Sequence, residues 1–199
     1  ERGGGRWSAS ATAKSEGYVS NIYPVDDTYR SQFRSPGLCS SGIHKQIQEG
    51  ERRRDVRLQF DPQRLVARLE DRDLTDHSSP KVEQFPIPQC VQDILSAVYF
   101  ARTVPMTVGK SFDFPIADGP QLIQIQVDIQ GEEELSTPAG KFQTVKVEPD
   151  LFSGRLFSGK GRMWVWFTKD ARRIPVQLRA QISVGTIIAT LSEIGQAEQ

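Results

Sequence analysis

Apolar and polar residues alternate along several stretches of this chain, most clearly where Ile123, Ile125, Val127 and Ile129 interleave with Gln124, Gln126, Asp128 and Gln130. A period of two puts one set of side chains on each face of a strand, so the pattern predicts a strand with one face in a core and one in water. Val176, Leu178, Ala180, Ile182 and Val184 repeat it against Gln177, Arg179, Gln181 and Ser183, as do Val145 and Val147 between Thr144, Lys146 and Glu148. Around 163–168 the alternation has no polar side: Trp164 and Trp166 share one face, Met163, Val165 and Phe167 the other. Such a strand is covered on both sides or lines a cavity.

Turn chemistry separates these runs at short intervals, as an antiparallel meander requires. Asp118-Gly119-Pro120 closes 111–116 onto 122–130, Gly131 is expected to end that strand, and Thr137-Pro138-Ala139-Gly140 closes 132–136 onto 141–148. Glu49-Gly50, Asp61-Pro62 and Lys169-Asp170 mark further turns, and Gly185 is expected to kink the strand 174–184 before 186–192. One segment has helical spacing: in 89–102, Val91, Ile94, Leu95, Val98 and Tyr99 recur every three or four residues behind Phe85-Pro86-Ile87-Pro88. Asp93 falls in the first turn of that helix, where a carboxylate meets exposed N–H groups and the positive end of the helix, a structural role.

Roughly nine to eleven strands and one helix give a mainly β fold: a strongly curved antiparallel sheet, or a partly open β-barrel, with one packed α-helix. A β sandwich is the alternative architecture. The organisation read from the sequence is an N-terminal extension with the first strand (1–19), a single curved β domain (20–192) and a short tail (193–199).

Composition narrows the class of protein. The 199 residues are 37% hydrophobic and 25% charged, with 12 Pro and 16 Gly, which describes a globular chain rather than a disordered one. Lys and Arg balance Asp and Glu at 25 each, so no global field draws the chain to nucleic acid. No apolar run approaches the length of a transmembrane helix. The chain begins at Glu1 with no initiator Met, which fits a processed N-terminus and equally an arbitrary boundary. Cys39 and Cys90 are either bridged or two buried thiols.

A search for reactive constellations finds none. His44 and His77 have no metal-ligand spacing, and a Gly-x-Ser-x-Gly elbow and a Cys–His pairing are both missing. Gly159-Lys160-Gly161 lacks the spacing of a phosphate loop. Asp26 and Asp27 project to opposite faces of a strand, Glu132-Glu133-Glu134 reads as a solvated strand start, and alternation splits the charges of Arg52-Arg53-Arg54. Neither a catalytic group, a metal nor a cofactor is expected. The least bland feature is Leu151-Phe152-Ser153-Gly154 repeated as Leu156-Phe157-Ser158-Gly159 in a Gly-rich loop. Its large apolar groups either fold back on the core or meet a partner.

Several short signatures, taken in order, carry a resemblance. They are Tyr23-Pro24-Val25-Asp26-Asp27, Ile87-Pro88 leading into Gln92-Asp93-Ile94-Leu95-Ser96-Ala97, Thr137-Pro138-Ala139-Gly140-Lys141-Phe142, Trp166-Phe167-Thr168-Lys169-Asp170 and Arg172-Arg173-Ile174-Pro175-Val176. In this order they resemble a family of exported bacterial β proteins known as domain of unknown function 3108. Lys169 departs from the family pattern, where an acidic residue is common, which weakens any carboxylate pair with Asp170. The resemblance implies a periplasmic or surface-associated protein with no assigned reaction and, through an oxidising compartment, a Cys39–Cys90 disulfide.

The function expected on these grounds is noncatalytic binding or assembly in the cell envelope, with a lipid-like ligand or another envelope protein as partner. Leu151, Phe152, Leu156, Phe157, Trp164 and Trp166 are the expected contact residues. The competing expectation is an envelope hydrolase that brings together Asp26 or Asp27, Asp93 and Glu148.

Overall fold

The computed structural model describes residues 5–15, 23–76, 78–152, 160–182 and 185–195. Twelve strands and one helix lie among them, in the order β1 (Arg6–Lys14), β2 (Asp26–Arg34), β3 (Cys39–Glu49), β4 (Arg52–Asp61), β5 (Val66–Asp73), β6 (Lys81–Pro86), α1 (Ile94–Ala101), β7 (Ser111–Ala117), β8 (Leu122–Thr137), β9 (Gly140–Pro149), β10 (Gly161–Thr168), β11 (Pro175–Ile182) and β12 (Gly185–Thr190). The mainly β, antiparallel class with one helix is what the alternation predicts. The strands form two six-stranded meanders, β1 to β6 and β7 to β12, each with neighbours in sequence paired in space.

Contacts gather the chain into two compact units where the sequence reads as one domain: residues 1–100 with 115–122, and residues 101–114 with 123–199. In the first unit, the inner faces of β3, β4 and β5 carry Ile43, Val56, Leu58, Phe60, Ala67 and Leu69, all buried, and Ile94 and Leu95 of α1 pack on that cluster. Gly42 sits where the β2–β3 register slips, at φ +153°. A Cβ there would lie 2.5 Å from the Leu58 carbonyl oxygen, so only glycine lets β3 approach β4 at this bulge.

The second unit follows the period-two pattern closely. Ile123, Ile125, Val127 and Ile129 are buried while the glutamines between them are exposed. Trp164, Val165, Trp166 and Phe167 are all buried, so β10 is covered on both faces as expected.

Three expectations change. Gly131 does not end a strand: β8 runs through it to Thr137, and the register against β9 shifts between Ile129 and Gly131, so the glycine is a bulge within one long strand. Gly185 does not kink a continuing strand but opens β12, which returns antiparallel along β11 with Ile182 opposite Gly185. The helix starts at Ile94 rather than at 89, because the preceding residues are used in extended pairing: Gln92 bridges Ile116, its N–H donates to the Pro115 carbonyl and its carbonyl accepts from the Ala117 N–H.

Candidate functional site

At one end of the first sheet the β2–β3 turn, the β4–β5 turn and the segment entering α1 surround a groove of about 430 Å³. Its walls are Arg34, Pro36, the Cys39–Cys90 disulfide, Phe60, Pro62 and Gln89, with Ser40 and Ser41 at its edge. A second depression of about 250 Å³ lies against the β1–β2 hairpin, lined by Arg6, Trp7, Gln32 and Phe33, and shares Arg34 and Ser41 with the first. The bridge expected of an oxidising compartment is therefore formed, and it is a wall of the groove. The Ser40 N–H donates to the Val91 carbonyl beside it, at 2.9 Å, so the same two segments are tied covalently and by backbone.

Arg6 and Arg34 are directly opposite each other across β1 and β2. Like charges facing each other in an antiparallel pair repel, and among the described residues neither arginine has a carboxylate partner within ion-pair distance. Their neighbours on that side, Ser8 and Gln32, are uncharged. The groove thus joins an apolar wall of Pro36, Phe60, Pro62 and the disulfide to a basic end that no carboxylate among the described residues compensates.

Behind the groove, the core of the first unit holds a polar network that the sequence did not reveal. Asp93, fully buried, is the N-cap of α1: its Oδ1 accepts from the N–H groups of Leu95 (2.8 Å) and Ser96 (3.0 Å). Its Oδ2 accepts from the hydroxyls of Ser31 (2.6 Å) and Ser40 (2.5 Å), which fastens the helix start to β2 and β3. Ser96 completes a capping box by accepting from the Asp93 N–H at 2.9 Å. Further along the same faces, Lys45 is buried and pairs with Asp118; burial pushes the Asp118 carboxyl up, and the Lys45 ammonium pulls it back. Asp27, also buried, accepts from the Gln48 N–H at 2.8 Å and the Tyr29 hydroxyl at 3.0 Å. Burial, then the Asp27 charge, raises the Tyr29 phenol.

Residues expected to make contacts in the second unit have other surroundings. Trp164 and Trp166 are buried with Val176 and packed by Leu135, Phe142 and Leu191, which places them in the core of that unit. The Trp166 indole N–H donates to Glu133 at 2.6 Å, and the Lys146 ammonium lies 5.2 and 5.3 Å from the ring centroids of Trp164 and Trp166. Leu151 and Phe152 are half-buried, and a Cβ on Gly161 would come within 2.8 Å of the Phe152 ring, so that ring lies against the β10 backbone. Leu156 and Phe157 fall outside the described residues.

The family model for proteins of unknown function, DUF3108, matches residues 1–192. The chain belongs to the DUF3108 family. No curated protein matches it. Among solved structures, the β-barrel-like protein of domain of unknown function DUF1849 from Brucella abortus is similar, with a TM-score of 0.41 and 8% identity over 94% of this chain and 95% of that one.

In this DUF3108 protein the carboxylates weighed for hydrolysis each have structural partners. Asp26 pairs with Lys14 on the solvent face, opposite in direction to Asp27 as alternation requires. Asp27 and Asp93 are occupied as described above, and Glu148 accepts from Arg162 at 2.6 and 2.7 Å. Asp170 is held by the Thr168 hydroxyl and by Arg172, whose contacts lower its pKa, in the turn between β10 and β11. Among the described residues no three His, Cys, Asp or Glu side chains cluster as metal ligands.

Proposed function

We propose that this DUF3108 protein is a noncatalytic binding protein of the cell envelope, and that it takes a lipid-like ligand with an acidic head in the groove beside Cys39–Cys90. The observation that carries this is the junction at Arg34: a groove with apolar walls runs into a depression whose two arginines face each other with no carboxylate partner among the described residues. An amphiphile matches both parts. Its chain covers Pro36, Phe60 and Pro62, and its head offers the charge that Arg6 and Arg34 lack, in charge-assisted hydrogen bonds. The groove volume lies in the range of small-molecule sites, roughly 300–1,000 Å³. The disulfide supports placement in an oxidising, exported setting.

Native mass spectrometry of protein extracted from its producing cells should find an acidic amphiphile bound, and a dansyl-labelled undecanoate should bind the delipidated protein. Arg34→Gln should weaken that probe by about tenfold or more, the loss of one charge-assisted bond. An undiminished affinity in Arg34→Gln, or a stable protein partner in place of any lipid, rejects the carrier reading, and the second result favours a scaffold.

A further inference from the structure

We propose that the end of the first sheet carrying the groove mouth docks on an anionic lipid surface, with Trp7 and Leu65 entering the interface and Arg6, Arg34 and Arg64 at the level of its phosphates. The turns and strand ends that meet there are 5–8, 32–41, 60–66 and 86–90, and they contain three arginines and one acidic residue, Asp61, in a chain whose net charge is zero. Asp61 is already engaged by the N–H groups of Gln63 and Arg64, both at 3.0 Å, and lies 3.8 Å from the Arg64 guanidinium. A positive excess therefore gathers at this one end, next to two large apolar side chains in water: Trp7 is 39% exposed and Leu65 48%.

The backbone singles out the same end. Leu65 has φ +54° and Leu38 has φ +53°, a left-handed conformation in which the Cβ of a non-glycine residue crowds the backbone. Both positions are in turns at this end, where Gly or Asn relieves the strain. A strained leucine in a tight turn is normally explained by burial, and Leu65 is not buried. It is 48% exposed, in the same β4–β5 turn as Pro62, a groove wall. Strain maintained at a side chain left largely in water is a pointer to a binding role.

The chemistry selects lipid over protein as the occupant. A protein interface needs a contiguous apolar centre inside a polar rim, whereas here Trp7 at the start of β1 and Leu65 in the β4–β5 turn are separate apolar groups, each next in sequence to an arginine, Arg6 and Arg64. That spacing suits a bilayer interface, where Trp and Leu enter the boundary of the acyl region and Arg side chains reach phosphates. Docking by this end would also set the groove mouth against the membrane from which a lipid-like ligand is drawn; that last step rests on the proposed carrier reading, and the docking itself does not.

The test uses the full, disulfide-intact chain and vesicles of phosphatidylcholine with 30% phosphatidylglycerol, against pure phosphatidylcholine. Co-sedimentation with the anionic vesicles is expected, falling as salt rises, with little on the neutral ones. The double variant Arg6→Gln/Arg34→Gln should lower partitioning about tenfold or more. Leu65→Asn, which suits the left-handed turn and removes the apolar group, should lower vesicle binding while the melting temperature holds or rises and dansyl-undecanoate affinity is unchanged. Brominated lipid should quench part of the tryptophan emission, and Trp7→Phe should abolish that quenching, since Trp164 and Trp166 are buried. Equal binding to neutral vesicles, equal binding to soluble polyglutamate, or full vesicle binding by Leu65→Asn would each overturn the proposal; the polyglutamate result would assign the surface to an acidic protein. Loss of probe binding with vesicle binding intact would reject the carrier and leave the docking surface standing.

Discussion

At the scale of single residues, Asp93 joins a local signal to a distant one. Its position before an apolar stripe predicts a role at a helix start, and both N–H groups that a cap should satisfy are on its Oδ1. The serines on its Oδ2 come from 62 and 53 residues away, so no local pattern could name them. All four donors are uncharged. Replacing Asp93 by Ala leaves the Ser31 hydroxyl and two N–H groups without their acceptor and the Ser40 hydroxyl with only a long bond to the Gln32 carbonyl, a loss larger than that of a simple cap, and should cost about 2–5 kcal/mol in urea unfolding. Asn keeps an acceptor for the helix and should cost clearly less. A loss below about 1 kcal/mol in Asp93→Ala, short of even a typical cap, would mean that the network contributes little.

At the scale of elements, strands were legible wherever one face met water, because alternation reports exposure directly. The β8 glutamines and isoleucines are the plainest case. What alternation cannot report is whether a glycine interrupts a strand or bends it, since Gly131 has the same sequence signature as a turn; the choice was made by Val145 and Val147 continuing to pair across the bulge. The start of α1 is hidden in the sequence for a related reason, as the apolar spacing of Val91 with Ile94 and Leu95 is shared by a helix and by an extended segment with one buried residue. Arg6 and Arg34 were invisible as a pair because register depends on the β1–β2 connection, not on composition. Pairing between β9 and β10 offers a pH test. Hydrogen bonds from Arg162 hold the Glu148 carboxyl below its ordinary value, against the opposing effect of partial burial. A carboxylate with a depressed folded pKa adds stability above its unfolded value of roughly 4.3, and that stability is lost as pH falls through the lower folded value. Glu148→Gln should therefore melt below the parent protein at pH 6, and the difference should close as pH is taken to 3. A gap that stays constant over that range would assign the effect to packing rather than charge.

At the scale of the whole molecule, a neutral total conceals how the chain is divided. The apolar cluster built on Leu58 and Ala67 belongs to the first unit, and the cluster around Trp164 and Trp166 to the second. The Cys39–Cys90 bond lies wholly in the first unit and closes a loop spanning 51 positions, which contains β3, β4, β5 and β6. Cross-linking restricts the unfolded chain most where the closed loop is long, and removing such a bridge costs roughly 2–5 kcal/mol. Reduction should thus act first on the strands it encloses. Hydrogen exchange on the Cys39→Ser/Cys90→Ser protein should show protection falling across 39–86, while the buried strands β8 and β10 keep most of theirs. The groove should go with it, since both sulfurs and Ser40 line its wall, so undecanoate binding should weaken in the same variant. Equal loss of protection in β8 and β10 would show that the two units open together, and the stabilisation from the bridge would then belong to the entire chain. Unchanged protection in 39–86 would mean that the Ser40 to Val91 hydrogen bond and the apolar cluster already hold these segments without the sulfurs.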